Sequence, residues 1–169
     1  MEEYIFLDTD YYGNAEYDIR DTEYKLLIHL CCKYAKVFSM VVTTPFSAII
    51  EKLQPYQVAK PNNISLSFPE YDYQSASINY YQICPEICEI LANAVGGIFE
   101  WIDGWDFTNP NDPTFYREDG SVFFTSIIHD GVCVLMPRPE ENVTEIIKNS
   151  LWIKRDENNL SMFPALPYD

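Results

Sequence analysis

Three sets of residues carry side chains with chemistry to offer. Cys133 and His129 stand four apart, with Asp130 beside the histidine, the residue types of a thiol–imidazole pair with an orienting carboxylate. Their setting argues against that use. His129-Asp130-Gly131 reads as a turn between two apolar runs, 122–128 and 132–135, which puts the histidine at a turn tip and the alternating Cys133 in the core. His29 lies beside the apolar stripe of a predicted helix and reads as a boundary residue. No catalytic residue is expected from these.

The second set is the cysteines. Cys31, Cys32, Cys84 and Cys88 together hold enough thiols for a structural zinc ion. The tight Cys-x-x-Cys pairs of such sites are missing, and adjacent cysteines on a helix point about 100° apart. Buried thiols are the simpler reading, and with Cys133 the odd count of five fits a reducing compartment. The third set is the acidic loop with Asp103, Asp106, Asn109, Asn111 and Asp112, all potential oxygen ligands for calcium. It lacks the Asp-x-Asp-x-Asp-Gly register and the closing glutamate of a calcium hand, so a solvated loop is expected. No Gly-x-Gly-x-x-Gly or Gly-x-x-x-x-Gly-Lys-Ser/Thr stretch is present to cradle phosphate. The expectation is therefore no metal and no cofactor.

Segment 99–119 is the one region whose composition resembles a contact surface. Trp101, Trp105, Phe107, Phe115 and Tyr116 interleave with Glu100, Asp103, Asp106, Asp112, Glu118 and Asp119. Aromatic side chains act as rigid anchors at protein interfaces, and carboxylates around them steer and pair with lysine and arginine of a partner. The competing reading packs the aromatics onto the sheet and leaves only the acids in water. Tyr71, Tyr73, Tyr80 and Tyr81 extend either version.

The elements that must position these residues follow from periodicity. A strand is predicted over 2–7, then a polar loop over 8–21. A helix begins near Thr22, capped by Asp21 or Thr22, and places Tyr24, Leu27, Ile28, Cys31, Tyr34 and Ala35 on one face. Strand 37–42 follows, then a short helix with Thr44 as cap and Pro45 in its first position. Strands are predicted at 64–68 and 78–83, with a tyrosine-rich acidic loop at 70–76 between them. Pro85 opens a helix that stops at Gly96-Gly97 in a left-handed conformation. A strand at 98–102, a long loop at 103–114, the hairpin at 122–135, a helix from Pro139 and a strand at 151–154 complete the series. Residues 156–169 read as an extended tail. This order predicts an α+β fold in one domain, 1–169, with three or four helices packed on a mainly antiparallel sheet.

The net charge is −15, from 26 acids and 11 bases, and it is unevenly spread. Residues 1–24 hold eight acids and one base, 70–119 ten acids and one base, while 25–69 reverse to five bases and one acid. Such a chain repels nucleic acid and attracts cationic partners. Without a secretion signal or a long apolar run, a cytoplasmic protein clear of membranes is expected. The functional expectation is a non-catalytic acidic protein that masks a basic protein, in its most concrete form an immunity-type or antitoxin-type inhibitor of a nuclease toxin. The partner-binding residues would be Trp101, Asp103, Trp105, Asp106, Phe107, Asp112, Phe115, Tyr116, Glu118 and Asp119. The alternatives are a small-ligand protein or enzyme with a site built from scattered residues, and an acidic mimic of nucleic acid.

Overall fold

Apolar side chains that recur at every second position on neighbouring strands must meet in rows across a sheet. One such row crosses this protein. Tyr81, Phe38, Phe115, Phe124, Leu135 and Ile5 are successive cross-strand partners, and all are fully buried.

The row belongs to a computed structural model that describes residues 4–7, 19–64, 76–104, 107–148 and 152–155. Its elements are, in chain order, β1 (Tyr4–Leu7), α1 (Asp21–Tyr34), β2 (Val37–Val42), α2 (Ala48–Leu53), β3 (Gln57–Val58), β4 (Ser77–Gln82) and α3 (Pro85–Ala94). They continue with β5 (Asp103–Gly104), β6 (Phe107–Thr108), β7 (Asn111–Tyr116), β8 (Val122–Ile127), β9 (Val132–Leu135), α4 (Thr144–Ile147) and β10 (Trp152–Arg155). Eight strands form one antiparallel sheet in the order β10-β1-β9-β8-β7-β2-β4-β3, and β5 with β6 makes a separate small hairpin. The protein is a single α+β domain, as the order of elements predicts.

The helices share one face of the sheet. Tyr24, Leu27, Ile28 and Cys31 of α1, Ile49 and Leu53 of α2, Ile87 and Leu91 of α3 and Ile146 of α4 all join the cluster built on the aromatic row. Within the row, ring centroids of Phe38 lie 5.0 Å from Tyr81 and 5.5 Å from Phe115. Each fully buried ring contributes about 1.5–3 kcal/mol. The opposite face of β2, β7 and β8 is buried too, and its polar groups are paired. Ser39 Oγ lies 3.3 Å from the Tyr116 hydroxyl, and the Thr114 and Thr125 hydroxyls are 2.9 Å apart.

Several expected elements differ. Helix α1 has Arg20, not Asp21 or Thr22, in its cap position, and no side chain caps it. Its start is set from outside, because the Asp21 amide donates to the Gly96 carbonyl at 2.8 Å and Arg20 bridges Gly97. Gly96 and Gly97 therefore do not act through a left-handed stop; Gly97 is extended, and α3 ends at an extended Val95. Glycine is needed at 97 for closeness, since a Cβ there would lie 2.9 Å from Arg20 Cγ and 3.0 Å from the Ile19 carbonyl oxygen. The helix expected from Pro45 starts at Ala48 with Ser47 as cap, because the hydroxyls of Thr43 and Thr44 are both engaged elsewhere. Residues 98–100 form a 3₁₀ turn rather than a strand, and α4 is a single turn beginning five residues beyond Pro139. The expected strand at 64–68 lies outside the described residues beyond Ile64, as do the loop at 70–75, most of 8–21 and the tail 156–169.

The largest difference is in the expected loop at 103–114, whose last four residues belong to strand β7. Two prolines argue for a loop, yet Pro113 is tolerated inside the sheet by a bulge. Ser39 pairs with Thr114 and Val41 with Asn111, so Asp112 and Pro113 together oppose Met40. A bulge leaves one residue out of the ladder, where the missing proline N–H costs nothing.

Candidate partner-binding surface

The structure divides the aromatic acidic segment into an inner and an outer part. Trp101 is 0% exposed, and its indole N–H donates to the Tyr24 hydroxyl at 3.0 Å, which in turn donates to the Leu91 carbonyl at 2.6 Å. Phe115 and Tyr116 point to the two buried faces of β7. Asp112 is buried as well, at a positive φ of 54°, where its carboxylate accepts from the Ile128 amide at 2.6 Å. These four expected contact residues are interior, and no partner can reach them in this fold. Two adjacent aromatics such as Phe115-Tyr116 are the normal mark of a strand buried on both faces, and that is their meaning here. Trp105 and Asp106 lie outside the described residues.

The outer part is the β5–β6 hairpin. Asp103 opens it and accepts from the hydroxyls of Thr43 and Thr44, each at 2.5 Å. Its own amide donates to Asn111 Oδ1 at 2.6 Å, and the Asn109 side chain donates to the Glu100 carbonyl at 2.8 Å. Of the residues that resemble calcium ligands in sequence, Asp103 and Asn111 thus serve as staples to the end of β2, Asn111 through the Val41 carbonyl and the Thr43 hydroxyl. Among the described residues, no group of three histidine, cysteine or acidic side chains converges on a metal position.

Phe107, in β6, is 37% exposed, and Phe46, two residues past Thr44, is 88% exposed. Phe46 was not singled out by sequence, because a residue after Thr-Pro reads as the first turn of a helix. Asp103 links the segments that carry the two aromatics, through the Thr44 bond on one side and the pairing of Gly104 with Phe107 on the other. Glu118 and Asp119 are exposed but stand at the other end of β7, about 20 Å away for a six-residue strand. Asp119 is also occupied. It accepts from the Ser121 hydroxyl and amide at 2.6 and 3.0 Å and pairs with Arg138, and these bonds hold its carboxyl well below the usual range.

The thiol–imidazole pair does not assemble for attack. Cys133 is buried, its thiol pushed up by burial and by the nearby Asp112 charge, while His129 is exposed against Asp130 at 3.5 Å. His29 donates from Nδ1 to the Lys25 carbonyl at 2.6 Å, and its Nε2 faces Glu89 at 3.5 Å. No family model, no curated protein and no solved structure matches this chain. Among the described residues no helix is long and apolar enough to cross a membrane.

Proposed function

We propose that this chain is a non-catalytic acidic binding protein that masks a basic protein partner, in its most concrete form an immunity-type or antitoxin-type inhibitor of a nuclease toxin. The observation that carries the reading is the exposure of Phe46 and Phe107 on the segments that the Asp103 staple links, in a chain of net charge −15. Two exposed aromatics provide anchors, and the surplus of carboxylates supplies long-range attraction for a cationic surface. The contact set of this proposal is Phe46, Asp103 and Phe107, with Trp105 and Asp106 between the last two in sequence.

The test is capture from native extract at low salt, elution by a salt gradient, and purification of the eluted protein. A basic protein whose nuclease activity falls on addition of the chain supports the proposal. Binding should weaken at least tenfold in the Phe46→Ser/Phe107→Ser double variant, with an unchanged thermal midpoint. Capture that survives both substitutions removes the surface from the proposal. A bait that recovers no basic protein removes the function.

A further inference from the structure

Cysteines distant in sequence meet at one place in this fold. Cys32 is in the last turn of α1, and Cys84 and Cys88 are at the cap and in the first turn of α3. The two helices are packed together, with the Tyr24 hydroxyl of α1 bonded to the Leu91 carbonyl of α3. At that junction the Cys32 and Cys88 thiols are hydrogen-bonded to one another, and Cys84 is near enough to influence Cys32 electrostatically. All three thiols line a cleft of about 360 Å3, shared with His29, Lys33 and Lys36.

We propose that Cys32 and Cys88 are a redox pair that closes to a disulfide between α1 and α3 by exchange with an anionic low-molecular-weight disulfide of the glutathione type. The two thiols are already within hydrogen-bonding reach of one another across the junction of the two helices. The lysines at the cleft rim suit a reagent bearing carboxylates. Neither Cys32 nor Cys88 is fully buried, in contrast to Cys31 and Cys133. The two thiols, rather than a metal, define the site, because no third ligand converges on them among the described residues.

The exchange balances in two steps. The Cys88 thiolate, the more exposed of the two, attacks one sulfur of the small disulfide. That bond breaks, and one glutathione leaves as a thiolate that takes up a proton. The Cys32 thiolate then attacks the Cys88 sulfur, and the second glutathione leaves in the same way. Two protein thiols are oxidised, one small disulfide is reduced to two thiols, and the two protein protons end on them. Burial pushes both protein thiols up, so the reaction runs through a minor thiolate fraction and takes minutes to hours.

The test uses the reduced full chain with oxidised glutathione, followed by alkylation, digestion and non-reducing mass mapping. The expected product is a cross-linked peptide pair lighter by two hydrogens, with fragmentation between residues 31 and 32 and between 84 and 88 assigning the bond to Cys32 and Cys88. Cys32→Ser should stop at a glutathione adduct on Cys88. A dominant Cys84–Cys88 bond overturns the proposal, as does the absence of any cross-link in the folded chain when the unfolded chain forms one. Stoichiometric zinc binding that protects Cys32, Cys84 and Cys88 together from alkylation also overturns it, in favour of a metal centre.

Discussion

Arg117 shows how a single residue organises one end of the sheet. Its guanidinium is 5% exposed and is held by Glu141, which is 7% exposed, in a two-pronged pair at 2.7 and 2.6 Å. The remaining donors reach the Ser121 hydroxyl and the carbonyls of Val122 and Met136. The fork thereby ties the ends of β7, β8 and β9 to the turn that precedes α4. A buried pair adds little over an apolar replacement of the same shape, but removing one partner strands the other charge at a cost of about 3–5 kcal/mol. Burial pushes the Glu141 carboxyl up, and bonds from Arg117 and the Arg138 amide together with both guanidinium charges outweigh it, so the group sits below its ordinary value. A lowered carboxylate stabilises the fold fully above the unfolded pKa of about 4.3, and that stability is lost as pH falls through the lower folded value. Glu141→Gln should therefore unfold at a lower urea midpoint at pH 7, with an unfolding free energy smaller by about 3 kcal/mol. The gap from the natural protein should narrow once the pH drops below about 4. A constant gap from pH 7 to pH 3 would assign the loss to packing rather than to charge.

At the scale of elements, local pattern and tertiary position made different parts of the fold legible. Strand β2, the body of α1 and α3, and the pairing of β8 with β9 are all visible as periodicity in sequence. The hairpin turn is visible as Asp130-Gly131, and Gly131 does adopt the left-handed φ of 69°. What was not legible depends on distant residues. Asn111, Asp112 and Pro113 read as loop because their local preferences favour loops, and only the bulge opposite Met40 makes them a strand. For the same reason Asp112 was misplaced as a contact residue, whereas its carboxylate caps Ile128 at the far end of β8. Two properties suit aspartate there, tolerance of positive φ and an acceptor oxygen, and substitutions can separate them. Asn keeps both, Gly keeps only the conformation, and Ala keeps neither. Thermal and urea unfolding should therefore rank Asp112→Asn mildest, Asp112→Gly intermediate and Asp112→Ala worst. The step from Gly to Ala is expected to cost about 1–2 kcal/mol, the strain of a Cβ in the left-handed region. An Ala variant equal to Gly would remove backbone strain from the account of this bulge.

For the whole molecule, the decisive property is how charge is divided. The described residues contain all 11 bases and 14 of the 26 acids, a net charge of −3. The other 12 acids, with no base among them, fall in the remaining residues of the chain. The described residues are thus close to balanced in charge, and their cations are partly neutralised among them, as at Arg20–Glu100, Arg117–Glu141 and Arg138–Asp119. On the proposed masking role, attraction of a basic partner rests on the carboxylate surplus of the chain, and short-range grip on Phe46 and Phe107. These two contributions separate kinetically. Charges outside a tight contact act on the encounter rate and are screened by salt, whereas desolvated anchors act on dissociation. Replacing Asp8, Asp10, Glu16, Asp18, Asp156 and Glu157 by their amides takes the net charge from −15 to −9. Association with the captured basic protein should slow about tenfold at low ionic strength, with dissociation nearly unchanged. The difference should shrink as added salt shortens the Debye length to about 8 Å. Phe46→Ser should do the reverse, raising dissociation and leaving association and its salt slope intact. Surface-immobilised kinetics at two salt concentrations distinguish the cases. If the amide variant associates at the natural rate, steering comes from other charges of the chain, and these six carboxylates serve something other than this encounter.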